Sequence, residues 1–316
     1  MTLTRRHFLA LSAATLTARP ALAFDPQVIG GQAFGSYWRG MFAADLPGGD
    51  VTALIGRIVA DVDAQMSPYQ PGSELSVFNR AGQAALSRDV AETTRAALRI
   101  ASDTGGAFDP TVGPLVARFG FGPIEGAEQA GWQVLSLSGD RLTRAAEGIT
   151  LDLCGIAKGH ALDRMAHALE IAGAGDFVLE LGGEVVARGQ HPEGRPWQVG
   201  IEDGAGGLAG VARVQGMAVA TSGLWDQSYA VGQERYGHLI DPITGAPAGD
   251  TLASVSVFHD RAMMADGLAT ALFVMGAARA ERHARANGLA TVLVARDGGV
   301  TVTGAAQDFV EIGGLG

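Results

Sequence analysis

From residue 176 onward the apolar residues come in short runs, at 176–181, 196–201, 210–214, 217–220, 252–258, 290–295 and 300–302, parted by glycine-rich turns. Runs of that length, rich in β-branched residues and bounded by turn formers, read as strands. Two stretches there, 262–275 and 278–287, keep helical spacing instead. Strands that follow one another without a steady βαβ alternation pair antiparallel. The pattern predicts an α+β domain: a largely antiparallel sheet core with flanking helices.

The first half supplies more helix. Residues 50–66 carry Val51, Leu54, Ile55, Ile58, Val59 and Val62 on one side, and 89–102 repeats Val90, Ala97, Leu98 and Ala101 at helical spacing. Residues 158–172 read as a third helix, and 35–44, 134–137 and 148–153 as strands. The 46 glycines are spread through many turns, so no linker or repeat divides the chain.

The N-terminus is different. Residues 1–23 combine Arg5 and Arg6, an apolar stretch over residues 8–16, and Ala-Leu-Ala at 21–23, which is the layout of a signal peptide cut after Ala23. The apolar stretch is too short to anchor the chain across a bilayer. Thr4-Arg5-Arg6-His7-Phe8-Leu9 resembles the twin-arginine export motif, an address and not an anchor. The expected mature domain is 24–316, and the expected location is the periplasm. Cleavage removes three arginines and no acid, moving the formal net charge from −10 to −13. That balance excludes nucleic acid as a natural partner. The single cysteine, Cys154, allows no internal disulfide and no thiolate metal cage.

Five segments concentrate polar groups. In HLIDPITG, Asp241-Pro242 with Thr244-Gly245 has turn chemistry, while His238 adds a group able to move protons near neutral pH; both readings stand. Asp266 and Thr270 lie four apart in the apolar run MMADGLATALFVMG. They either offer a carboxylate and a hydroxyl to a hard cation such as Mg²⁺, or cap and back-bond their own helix. LDLCGIAKGH fails the P-loop order, yet a strand entering a glycine turn and a helix start aims amides at an anion, with Lys158 as a point charge. TGGAFDPTVG and ATSG complete the set. No zincin, G-x-S-x-G or dinucleotide fingerprint occurs in a supporting context.

Taken in order, MSPYQPGSELSVFN, GGAFDPTVGPLV, LDLCGIAKGHALD, LELGGEVVARG, AVATSG, HLIDPITGAP and ADGLATALFVMG resemble the ApbE family of FAD:protein FMN transferases, over nearly the whole mature chain. The resemblance implies a T-fold-related architecture. It also implies Mg²⁺-dependent transfer of FMN from FAD to a threonine or serine hydroxyl of a target protein, with release of AMP. By motif, Phe34, Tyr69, Ala107, Phe108, Asp109, Asp152, Lys158 and Ile240 would contact FAD. The Gly155 carbonyl, Asp266 and Thr270 would hold the metal. His238 is the candidate base, with Asp241 as its orienting partner or a substrate contact.

Three positions depart from the usual pattern: Phe34 stands for methionine, Cys154 for a small residue and His160 for tyrosine. The expected target is a membrane-bound respiratory or electron-transfer subunit, and the signal and motifs also resemble the subgroup that serves nitrous oxide reductase. Two further readings remain beside the transferase: an FAD pyrophosphatase giving FMN and AMP, and a flavin-binding assembly factor without chemistry.

Overall fold

The computed structural model describes residues 26–43, 46–223, 228–231, 234–249 and 251–313. The export signal expected over 1–23 lies outside them. The core is an eight-stranded sheet of Gln27–Ala33 (β1), Ser36–Phe42 (β2), Phe177–Leu181 (β3), Glu184–Arg188 (β4), Ala218–Gly223 (β5), Leu252–His259 (β6), Ala290–Ala295 (β7) and Val300–Thr303 (β8). The strands lie side by side in chain order and every pairing is antiparallel. The expected α+β class is thus the observed one.

Seven helices are present among the described residues: Gly48–Met66 (α1), Glu74–Ala81 (α2), Arg88–Asp103 (α3), Gly113–Arg118 (α4), Cys154–Ile171 (α5), Ala262–Met275 (α6) and Ala277–Ala286 (α7). Strand alternation divides the core. Ala218, Ala220, Val255 and Val257 point to one face, where α5 and α6 pack on the sheet. Val219 and Phe258 point to the other, where they meet Trp197, Ile201, Ala212 and Val214 of a three-stranded sheet. Helix α6 is buried on nearly every side, which explains why its sequence is apolar all round.

Among the elements that escape the sequence reading, three bear on the core. Helix α2 is short, but its ends are well marked: Ser73 accepts the Ser76 amide at 3.1 Å, and Gly82 closes it in the left-handed conformation. Strands β1 and β4 lie in stretches whose glycines mask the alternation. In the other direction, the strand expected over 148–153 does not form. That segment joins no ladder, because the Asn79 side chain takes both polar groups of Leu151, donating to its carbonyl at 2.9 Å and accepting its amide at 2.7 Å. The Asp152 amide goes to the Pro110 carbonyl at 2.7 Å.

Candidate active site

The site is built where α5 and α6 meet. Helix α5 begins at Cys154, four residues before the expected start, so Gly155 and Lys158 sit in its first turns. Asp152 ties down that start: its Oδ1 accepts the Cys154 amide at 2.9 Å. Burial raises the Asp152 carboxyl above its ordinary range, against the pull of that hydrogen bond.

The two helices touch at Gly159. A Cβ there would come within 2.4 Å of the Ala262 carbonyl oxygen, so only glycine permits this approach. Across the contact, the Gly159 amide donates to Asp266 Oδ2 at 3.0 Å. In a regular helix that amide would serve the Gly155 carbonyl. Asp266 therefore competes for the partner of the very carbonyl proposed as a metal ligand.

This geometry decides one alternative left open by sequence. Asp266 is not the N-cap of α6, since Asp163 of α5 accepts the amides of Ala262 and Met263 at 2.7 and 3.1 Å. Asp266 lies a turn further in, only 4% exposed. Burial pushes its carboxyl up, and the Lys158 charge and the Gly159 amide pull it back. Thr270, one turn on, faces Ser222 Oγ of β5 at 3.5 Å. A Cβ added to Gly155 would meet Phe108 Cε2 at 3.2 Å and Thr270 Oγ1 at 3.5 Å. The α5 start, the 104–113 loop and α6 thus converge on one point.

Lys158 does not stand alone beside this point. Its ammonium is ion-paired with Oε1 of Glu184, a residue only 3% exposed, on the first position of β4. Burial raises the Glu184 carboxyl to about 7, Lys158 opposes the shift, and Asp266 adds to it. Glu184 Oε2 is buried without a hydrogen-bond partner among the described residues. Sequence reasoning missed this glutamate, because a carboxylate directly after Gly182-Gly183 looks like a solvated turn residue. It also missed Ser222, although ATSG was noted.

Aromatic and apolar walls surround these charges. Tyr69 leaves 68% of its surface exposed; partial burial raises its hydroxyl pKa, and Cys154 and Asp152 add to the shift. Cys154 is solvent-exposed at the helix start, and desolvation by the surrounding protein, with the Asp152 charge, raises its thiol well above the ordinary value. It is therefore no reactive thiolate. Ala107 and Phe108 are buried in the turn after Gly105 and Gly106. Asp109 is held within the same loop, Oδ1 by the Thr111 amide and hydroxyl at 2.8 and 2.6 Å, Oδ2 by the Trp132 amide at 3.3 Å. Its expected contact with FAD is thus not made ready by a free carboxylate; the side chain shapes the loop that carries Phe108.

Phe34 has φ +50°, the one positive value at a non-glycine among the described residues. With Gly35 it forms the two-residue turn between β1 and β2, where Ala33 pairs Ser36. Both positive φ values match the type I′ turn, which favours Asn or Gly. A bulky side chain held in that strain points to a functional demand.

The last predicted group is looser. Ile240 is buried and pairs Pro247, and its short hairpin lies beside α6. Asp241 Oδ1 accepts the Ile243 amide at 2.9 Å and its carbonyl accepts the Gly245 amide at 2.9 Å, so the turn reading of this residue holds. Its orienting role toward His238 is not carried by those contacts. His238 stands edge-on to Phe121, with ring centroids 6.3 Å apart.

The donors fit a hard divalent cation. Asp266 and Thr270 offer oxygen ligands beside the Gly155 backbone, and the buried Asp266 and Glu184 carboxyls both feel the Lys158 charge, so positive charge is favoured at this point. No group of three or more His, Cys, Asp or Glu able to hold a metal occurs among the described residues. So few protein ligands suit Mg²⁺, which keeps positions for water and substrate phosphate.

Comparison with known proteins agrees with this architecture. The ApbE family model matches residues 34–293. The FAD:protein FMN transferase of Haemophilus influenzae is 36% identical over 283 residues, covering 82% of each chain. That of Salmonella typhimurium is 32% identical over 310 residues, covering 90% of this chain and 87% of its own. Among solved structures, the flavin transferase ApbE from Vibrio cholerae superposes with a TM-score of 0.79 at 30% identity, covering 90% of this chain and all of its own. The apo flavinyl transferase ApbE of Pseudomonas stutzeri gives 0.81 at 29% identity, covering 92% and 98%. Fold and site together define a protein of the flavin transferase architecture. The chain belongs to the ApbE family.

Proposed function

We infer that the chain is an FAD:protein FMN transferase that joins FMN covalently to a target protein. The observation that carries this reading is the convergence of Asp266, Thr270, Gly155 and the Lys158–Glu184 pair at the α5–α6 contact. The acceptor hydroxyl oxygen forms a bond to the FMN-side phosphorus, the pyrophosphate P–O bond breaks, and AMP leaves with the electron pair. The hydroxyl proton goes to His238, the candidate base.

Mg²⁺ held by Asp266, Thr270 and the Gly155 carbonyl would neutralise charge on the pyrophosphate oxygens. Lys158 adds a fixed positive charge from the helix start, and the α5 amides favour the same anion. Phe34 and Tyr69 supply apolar faces for the rings of FAD, and buried Phe108 walls the metal end.

The paired arginines and the Ala-Leu-Ala site support export by the twin-arginine route to the periplasm, and hence a membrane-bound respiratory subunit as target. Incubating the purified protein with FAD, Mg²⁺ and a target bearing an acceptor threonine should give a covalent flavin band and AMP. Free FMN without a band, with every plausible target present, would instead make the protein an FAD pyrophosphatase. Lysine at Arg5 and Arg6 should leave the protein in the cytoplasm, which cell fractionation reads directly.

A further inference from the structure

We propose that Glu184 is a positioning residue for the transfer: it fixes the Lys158 ammonium on the floor of the site, so that Lys158 meets the pyrophosphate in one orientation. This rests on the reading that Lys158 faces the pyrophosphate.

The β3–β4 turn is built to present Glu184. Leu181 pairs Glu184 across the two residues Gly182 and Gly183, whose φ values are +56° and +100°. The Gly182 amide donates to the Tyr37 carbonyl at 3.1 Å, which fastens the turn to β2. A Cβ on Gly182 would lie 3.7 Å from Lys158 Cδ, so the lysine stem runs directly past the turn. Glu184 therefore projects from a rigid strand onto a flexible side chain, as positioning requires.

Burial argues against a purely stabilising role. Glu184 keeps one carboxylate oxygen on Lys158 and the other without a partner, an arrangement that an apolar residue of similar volume would improve on. A second carboxylate, Asp266, also lies within electrostatic reach of Lys158. Without Glu184 the ammonium would lean toward Asp266, and so lose its aim and crowd the metal ligand together. Glu184 keeps the two charges apart.

The test is a double-mutant cycle on FAD affinity, read by titration calorimetry at fixed Mg²⁺ with wild type, Glu184→Gln, Lys158→Met and the double variant. Both single variants should weaken FAD binding by roughly tenfold or more, and the double variant should be no weaker than Lys158→Met, since contacting residues that act as a unit are not additive. Glu184→Gln should also raise the Mg²⁺ concentration needed for half-maximal FAD binding. Additive losses, or full FAD affinity in Glu184→Gln, would overturn the proposal. Full affinity in Lys158→Met would instead overturn the assignment of Lys158 to the pyrophosphate. If thermal melting shows that Glu184→Gln is not folded, Glu184→Asp takes its place in the cycle under the same criteria.

Discussion

Asp266 reaches across from α6 to take the Gly159 amide of α5 at 3.0 Å, and this one hydrogen bond ties the carboxylate proposed as a metal ligand to the helix that carries Gly155. Position and chemistry are thus coupled through a buried contact. Asp266→Asn preserves the shape and can still accept that amide, but it removes the negative charge that attracts a divalent cation. Transfer activity should fall by about 10²–10³-fold, the scale of a lost electrostatic group in a dry site. Near-wild-type melting with activity lost would separate chemistry from folding, and unchanged activity across a Mg²⁺ titration would remove Asp266 from the metal site.

Gly159 permits that contact. Gly159→Ala places a methyl 2.4 Å from the Ala262 carbonyl oxygen, which is backbone and cannot swing away. The helices must separate, with a loss of about 1–3 kcal/mol from overpacking. Denaturant melts should show the loss, and activity should fall further than stability alone explains because Asp266 is displaced from Gly155.

Phe34 invites the opposite experiment. Phe34→Asn suits the left-handed position and should stabilise the protein by roughly 1 kcal/mol. The same change removes an apolar face for the flavin or adenine ring, so FAD affinity should drop while the melting temperature rises. A rise in both would show that Phe34 does not touch FAD.

His160 gives a pH signature. Burial lowers its pKa below the ordinary 6.5, while Asp89, with its carboxylate 3.9 Å from Nε2, partly opposes the shift. The unfolded chain gains the proton near 6.5 and the native protein resists it. The contribution is fully present above pH 6.5 and is lost as pH falls from there toward the folded pKa. His160→Gln should therefore lose less stability than wild type on acidification below 6.5. Parallel pH profiles in urea would show that His160 does not set this dependence.

Much of the fold could be read from the pattern of the chain. The strands of the second half and the helices α1, α3 and α7 were legible because one face of each is apolar at a fixed period, and α6 because its apolar run is too long for a strand. Strand β4 was not, because it is only five residues long and is hemmed by Gly182-Gly183 and Gly189, and the 148–153 segment misled because its apolar residues are buried without a neighbouring strand. The proposed metal ligands were legible only as motif and spacing. Nothing local in GGEVV distinguishes a buried carboxylate from a solvated one.

By itself, then, the sequence determined the antiparallel α+β class, the apolar faces, the glycines available for turns, and the residue types able to bind a hard cation and an anion. These follow from local periodicity and side-chain chemistry, which need no partner to be recognised. Tertiary structure decided that Glu184 pairs with Lys158, that Asn79 clamps Leu151, and that Asp266 faces α5 instead of capping α6. Each of those depends on two segments remote in the chain being brought within hydrogen-bond distance, and burial then turns ordinary charges into a site.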